Sequence, residues 1–95
     1  MKLLALENEL PGTPAEAFQP HLKAEARRVW EMQQSGELRE IYFNADRHTA
    51  VILLECGDIA AARRLLGTLP LVQAGLITFD VIPLVPYDGF ARLFA

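Results

Sequence analysis

Apolar positions along the chain change period several times, and the order of those changes predicts the fold. Residues 2–8 are a short apolar run that ends before Pro11-Gly12. It is too brief to nucleate a helix and reads as a first strand. Thr13-Pro14-Ala15-Glu16 has the Thr-x-x-Glu form of a helix start, with proline at the first helical position. Pro20 interrupts that helix, so a single turn is expected at 14–18 and a main helix at about 20–34. At about 100° per residue, Phe18, Leu22, Val29 and Met32 share one face of it, flanked by Ala26, and Glu25 falls inside the same apolar stripe. Gly36 ends the helix, and residues 37–44 carry the β-branched and aromatic side chains of a second strand. The turn Ala45-Asp46-Arg47 joins it to a third strand at 48–56, apolar on both parities and stopped by Gly57-Asp58. Asp58 is a suitable N-cap for a helix at about 59–67, whose Ile59, Ala62, Leu66 and Leu69 point inward opposite Arg63 and Arg64. Leu69-Pro70-Leu71 closes that helix. The last strand, 75–83, sets Ile77, Phe79 and Val81 on one face and Leu76, Thr78, Asp80 and Ile82 on the other.

The order β-α-β-β-α-β with a central hairpin predicts an α+β fold of the ferredoxin-like, split βαβ kind, a four-stranded antiparallel sheet with two helices on one face. Its other face would be bare. Leu3, Leu4, Ala5 and Leu6, then Val51, Ile52, Leu53 and Leu54, are apolar on both parities, so that face also needs cover. A second subunit packed sheet to sheet about a two-fold axis supplies it, which makes the expected architecture a dimeric α+β barrel. In the tail, residues 85–95, Phe90, Leu93 and Phe94 lie at i, i+3 and i+4 with no evident berth on their own subunit. The tail is expected to pack on a neighbouring subunit, and residues 1–95 to make one domain.

Composition narrows the function classes. Hydrophobic residues make up 52% of the 95-residue chain and charged ones 22%, which excludes disorder and leaves more apolar surface than one small core uses. A net charge of -3 with no basic stripe argues against a nucleic-acid partner. Cys56 stands alone and His21 and His48 lie far apart, so neither a disulfide nor metal-ligand spacing is present, and neither redox nor zinc chemistry is expected. The amino-terminal apolar run meets acid at Glu7 and is too short for a signal segment or a membrane span, so a cytoplasmic protein without membrane partners is expected.

Several stretches carry a resemblance. The helix containing Glu25, the Gly36-Glu37-Leu38-Arg39 entry to the second strand and Leu69-Pro70-Leu71 lie within Leu22 to Leu84, which resembles the muconolactone isomerase-like family of dimeric α+β barrels. The ending Ile-Pro-Leu-Val-Pro-Tyr-Asp-Gly-Phe looks like a branch of that family apart from the true isomerases, as do the surroundings of His48 and the extended tail. The resemblance implies a homodimer or larger homo-oligomer acting without a cofactor on a small carboxylated lactone or enol acid of aromatic catabolism. Such chemistry needs a base beside a carbonyl, a donor for the developing oxyanion and a cation for the substrate carboxylate.

Three residues are candidates for those tasks. Glu25, on the inward face of its helix, is raised toward a useful basicity by burial. If Ile41 and Phe43 face the helices, strict alternation puts Arg39 on that side too, as a carboxylate clamp beside Glu25. His48, next to the hairpin, is an alternative acid or base. Equally open is a structural Glu25–Arg39 ion pair at the rim of the core, and a turn histidine facing solvent. Tyr42 and Asp80 point to the expected subunit interface, His21 and Trp30 read as packing or surface residues, and Tyr87, held by prolines and Gly89, is placed to close a pocket as part of a moving tail. Against the isomerase stand two other readings, a non-catalytic oligomeric module that binds a small molecule and a cofactor-independent oxygenase. The enzyme reading requires a cavity of roughly 300 Å³ or more with Glu25 and Arg39 at its wall.

Overall fold

A computed structural model describes residues 1–95. Four strands form, β1 (Lys2–Glu9), β2 (Leu38–Phe43), β3 (Ala50–Glu55) and β4 (Ile77–Leu84), in one antiparallel sheet of order β2-β3-β1-β4. The helices are α1 (Leu22–Gln34), α2 (Ile59–Leu66) and the one-turn α3 (Pro70–Gln73), with 3₁₀ turns at Ala15–Ala17, Gln19–His21 and Gly89–Phe94. This is the expected ferredoxin-like α+β arrangement with its central hairpin.

Local chemistry accounts for most boundaries. Asp58 caps α2 as its position suggests, its Oδ1 accepting from the Ala61 N–H at 2.7 Å. Thr13 does not cap the first turn. Its hydroxyl donates instead to the Leu10 carbonyl at 2.8 Å, leaving Pro14 at the N-cap position and only a short 3₁₀ turn. Pro20 is accommodated near the start of the next 3₁₀ turn, and regular α1 begins at Leu22. Leu69-Pro70-Leu71 does not close α2, which stops at Leu66 with Gly67 as its C-cap, but starts another helix: with Pro70 in its first turn, the chain coils once more as α3 before β4. In the β2–β3 hairpin, Asn44 organises the turn, its Oδ1 accepting from the N–H groups of Asp46 and Arg47. His48 closes that turn with φ of 57°, a left-handed conformation uncommon outside glycine.

The pairing register sorts side chains between the two faces of the sheet. Leu3 and Ala5 of β1, Ala50, Ile52 and Leu54 of β3, and Leu38 and Ile77 are buried on the helix side. They pack with Met32 of α1 and with Ala62, Leu65 and Leu66 of α2, followed by Leu69. The opposite face carries Leu4, Leu6, Val51, Leu53, Ile82 and Leu84, with Tyr42 and Asp80 beside them. Beyond β4 the tail stays exposed, Phe90 at 68%, Leu93 at 77% and Phe94 at 88%. The Cα radius of gyration is 15.4 Å, against roughly 12 Å for a ball of this length, as a projecting tail requires.

β2 breaks alternation. Leu38 pairs with Leu54 but Glu40, not Arg39, pairs with Leu53, so two residues of β2 oppose one of β3. Leu38, Ile41 and Phe43 therefore share the helix face, and the extra residue, Arg39, lies outside the alternation that was expected to turn it inward.

Candidate active site

Between α1, the 3₁₀ turns before it and the sheet lies a cavity of about 730 Å³. Its apolar walls come from Phe18, Leu22 and Val29 on the helical side and Ile41, Ile52 and Phe79 on the sheet. The inward stripe of α1 thus does two jobs. Met32, near its C-terminal end, is buried in the core, whereas Leu22 is 42% exposed because it faces the cavity and its opening.

Glu25 stands on this wall. Its Oε1 accepts from the Leu71 N–H of α3 at 2.9 Å. Desolvation pushes its carboxyl above the ordinary glutamate value of 4.5, the Leu71 N–H opposes that shift, and the negative charge of Glu7 adds to it. Glu7 is the second acid of the cavity. The β1–β3 ladder runs to Leu6 and Val51, and the next free amide, Ala50 N–H, donates to Glu7 Oε1 at 3.1 Å. Burial raises the Glu7 carboxyl as well, again opposed by its backbone hydrogen bond. Each acid is therefore held through one oxygen by a backbone N–H.

His48 reaches the mouth of the cavity from the hairpin and stacks on Phe43, ring centroids 4.0 Å apart and planes inclined by 21°. Arg39 is elsewhere. Its Nε donates to the Gly36 carbonyl at 2.6 Å, and its charge helps to hold the Glu55 carboxyl below its ordinary value, after the larger effect of the amino-terminal ammonium. No Glu25–Arg39 ion pair forms; the two ion pairs present are Met1 with Glu55 and Arg28 with Glu31. The β2 bulge is the reason, since one extra residue moves a side chain off the face that parity assigns to it. The structure thus brings Glu25 and His48 to one cavity without Arg39.

The muconolactone delta-isomerase family profile matches residues 4–89, nearly the whole chain. The chain belongs to the muconolactone delta-isomerase family. No curated protein matches it. Among solved structures, this family member is similar to 5-chloro-2-hydroxyhydroquinone dehydrochlorinase (TftG) from Burkholderia phenoliruptrix AC1100 in complex with 2,5-dihydroxybenzoquinone. That similarity has a TM-score of 0.71 at 12% identity over 94% of this chain and 98% of the other. It is also similar to a muconolactone isomerase, with a TM-score of 0.67 at 21% identity over 93% of this chain and 92% of the other. At these identities the likeness establishes the fold.

Glu7 is not among the candidate site residues that this family member's sequence offers. A signal was present: Leu3, Ala5 and Glu7 share one parity, and two of them are core residues with no exposed surface. Read as the acid that ends an apolar run, Glu7 marked a boundary; read by parity, it lies on the helix face. The contact between Glu25 and α3 had no such signal, because α3 itself was hidden behind Pro70.

Proposed function

We propose that this family member is a cofactor-free enzyme of isomerase type that moves a proton beside the carbonyl of a small ring compound held in the cavity. The observation that carries the proposal is the placement of Glu25. One carboxylate oxygen is anchored on the Leu71 N–H, the other has no protein partner, and the group sits half-buried on an apolar wall where its basicity is raised. His48, at the mouth, serves as the second proton-transfer group. Arg39, which the resemblance casts as holder of a substrate carboxylate, lies outside this arrangement.

In this reading the enzyme works in the cytoplasm as a homodimer or larger homo-oligomer, with aromatic catabolism as its setting. Leu4, Leu6, Val51 and Leu53 give the face opposite the helices an apolar surface suited to sheet-to-sheet pairing. The exposed tail, 85–95, packs on a neighbouring subunit, and the rest of the chain forms a single domain with it.

The test is hydrogen–deuterium exchange beside the carbonyl across a panel of lactones, enones and enol acids, followed by NMR. Glu25→Gln keeps the shape and an acceptor for Leu71 but removes the base, and is expected to slow exchange by about 10²-fold or more. Arg39→Ala is the control and leaves the rate unchanged. Native exchange in Glu25→Gln would remove the base from the proposal.

A further inference from the structure

Resting on the reading of this cavity as the active site, we infer that its substrate is an uncharged ring compound bearing hydroxyl donors, and that the site selects against a carboxylate. The family resemblance points to a carboxylated compound; the charges around this cavity point the other way.

Three carboxylates, Glu7, Glu9 and Glu25, line the cavity, and none of the nine lysines and arginines does. Arg39 is turned out by the bulge. Arg47 lines a separate polar hollow of about 260 Å³, which shares Glu7 and Glu9 with the cavity. His48 is the only cavity residue able to take a positive charge, and His21 lies close enough to Glu25 to favour its ionised form. At neutral pH the balance of formal charge inside is negative. A carboxylate brought among these groups would meet like charge at short range in a partly dehydrated space, where screening is weak.

The hydrogen-bonding inventory leads to the same class. An ionised carboxylate only accepts. Glu7 and Glu25 each spend one oxygen on a backbone N–H and have no side-chain donor partner in the protein. The oxygens left over call for donors on the ligand, which hydroxyl groups supply and a carboxylate does not. The rest of the wall, including Phe18, Phe43 and Phe79, suits the faces and edges of a flat apolar ring.

Two probes that differ by one carboxylate decide the matter. Resorcinol is an uncharged ring with two hydroxyl donors, and 3,5-dihydroxybenzoate is the same ring with a carboxylate added. Calorimetric titration of the full chain at about pH 8, above the ordinary histidine range, should show resorcinol binding at least about tenfold more tightly. In Glu7→Gln/Glu25→Gln, whose amides retain acceptors for Ala50 and Leu71, that preference should fall to about threefold or less. Circular dichroism of the variant confirms that it folds. Equal or tighter binding of 3,5-dihydroxybenzoate by the native chain overturns the inference. So does failure of resorcinol to bind, or an unchanged preference in the folded double variant. A preserved preference for resorcinol together with no exchange on any carbonyl compound would sink the isomerase reading alone and leave the charge selection standing.

Discussion

Two ends of one layer, between the same sheet and its helices, differ in what fills them. Under α2, Leu3, Leu54, Ala62, Leu66 and Leu69 meet with almost no exposed surface. Beneath the first turns of α1 the facing residues are Glu7, Ile41 and Phe79, and a cavity takes the place of the core. β1 crosses from one end to the other, and its composition changes on the way, from Leu3 and Ala5 to Glu7 and Glu9. The helices differ in the same sense: α2 presents small and branched residues that allow close approach, while α1 is buried only at Met32. In the proposed reading, stability and chemistry are thereby separated in space. The closed end can hold the fold, so the open end is free to keep half-buried acids that a packed core would not tolerate without partners.

The sharpest way to break that comparison is to cut a side chain from the closed end. Leu54→Ala, at a position with no exposed surface, is expected to lower unfolding free energy by about 2–5 kcal/mol in a denaturant titration. Val29→Ala, beside the cavity, should cost about 1 kcal/mol or less in the same titration, since part of that side chain already faces space. Equal losses at the two positions would mean that the open end contributes to stability as the closed one does.

Next in size is the support of α2. Asp58→Ala removes the only side-chain cap in the molecule and is expected to cost about 1 kcal/mol, with Asp58→Asn restoring most of it. Ala26→Leu probes the opposite end: it adds volume in the cavity, so stability should change by about 0.5 kcal/mol or less while binding of ring compounds is lost. A large destabilisation instead would show that the space under α1 is already filled.

The smallest expected effect is on pH dependence. Glu7 and Glu25 have carboxyls raised above 4.5 by burial, so the folded chain holds their protons more tightly than the unfolded one. Their contribution is greatest below 4.5 and is lost as pH rises through their folded values. Glu55, held below its ordinary value by the amino terminus, acts with the opposite sign, its contribution disappearing as pH falls below 4.5. Stability curves should therefore decline gently on the alkaline side of 4.5, and Glu7→Gln/Glu25→Gln should flatten that decline while leaving the acid limb in place.

The closed end was the more legible of the two in the sequence, for a physical reason. Its residues obey simple periods: Ala62, Leu66 and Leu69 recur at helical spacing, Leu3 and Ala5 at strand spacing, and Asp58 marks a helix start by chemistry alone. The open end depends on departures from period. A single inserted residue in β2 was enough to send Arg39 away from Glu25, and no propensity at Leu38-Arg39-Glu40 announces it. Pro70 carried two meanings, terminator and first-turn residue, and only the tertiary fold shows the second. Glu25 and His48 were identifiable because each broke a local pattern, an acid in an apolar stripe and a lone histidine beside a hairpin. Glu7 conforms to a strand end, so the sequence marks it as a boundary and not as a site residue.

The backbone hydrogen bonds that hold the two acids have a practical consequence. Because Ala50 N–H and Leu71 N–H end on Glu7 and Glu25 respectively, two amide resonances, one in the sheet and one in α3, are wired to the ionisation of the cavity. A spectroscopist following those two peaks would watch occupancy and protonation from the main chain itself, with no label attached and no turnover required.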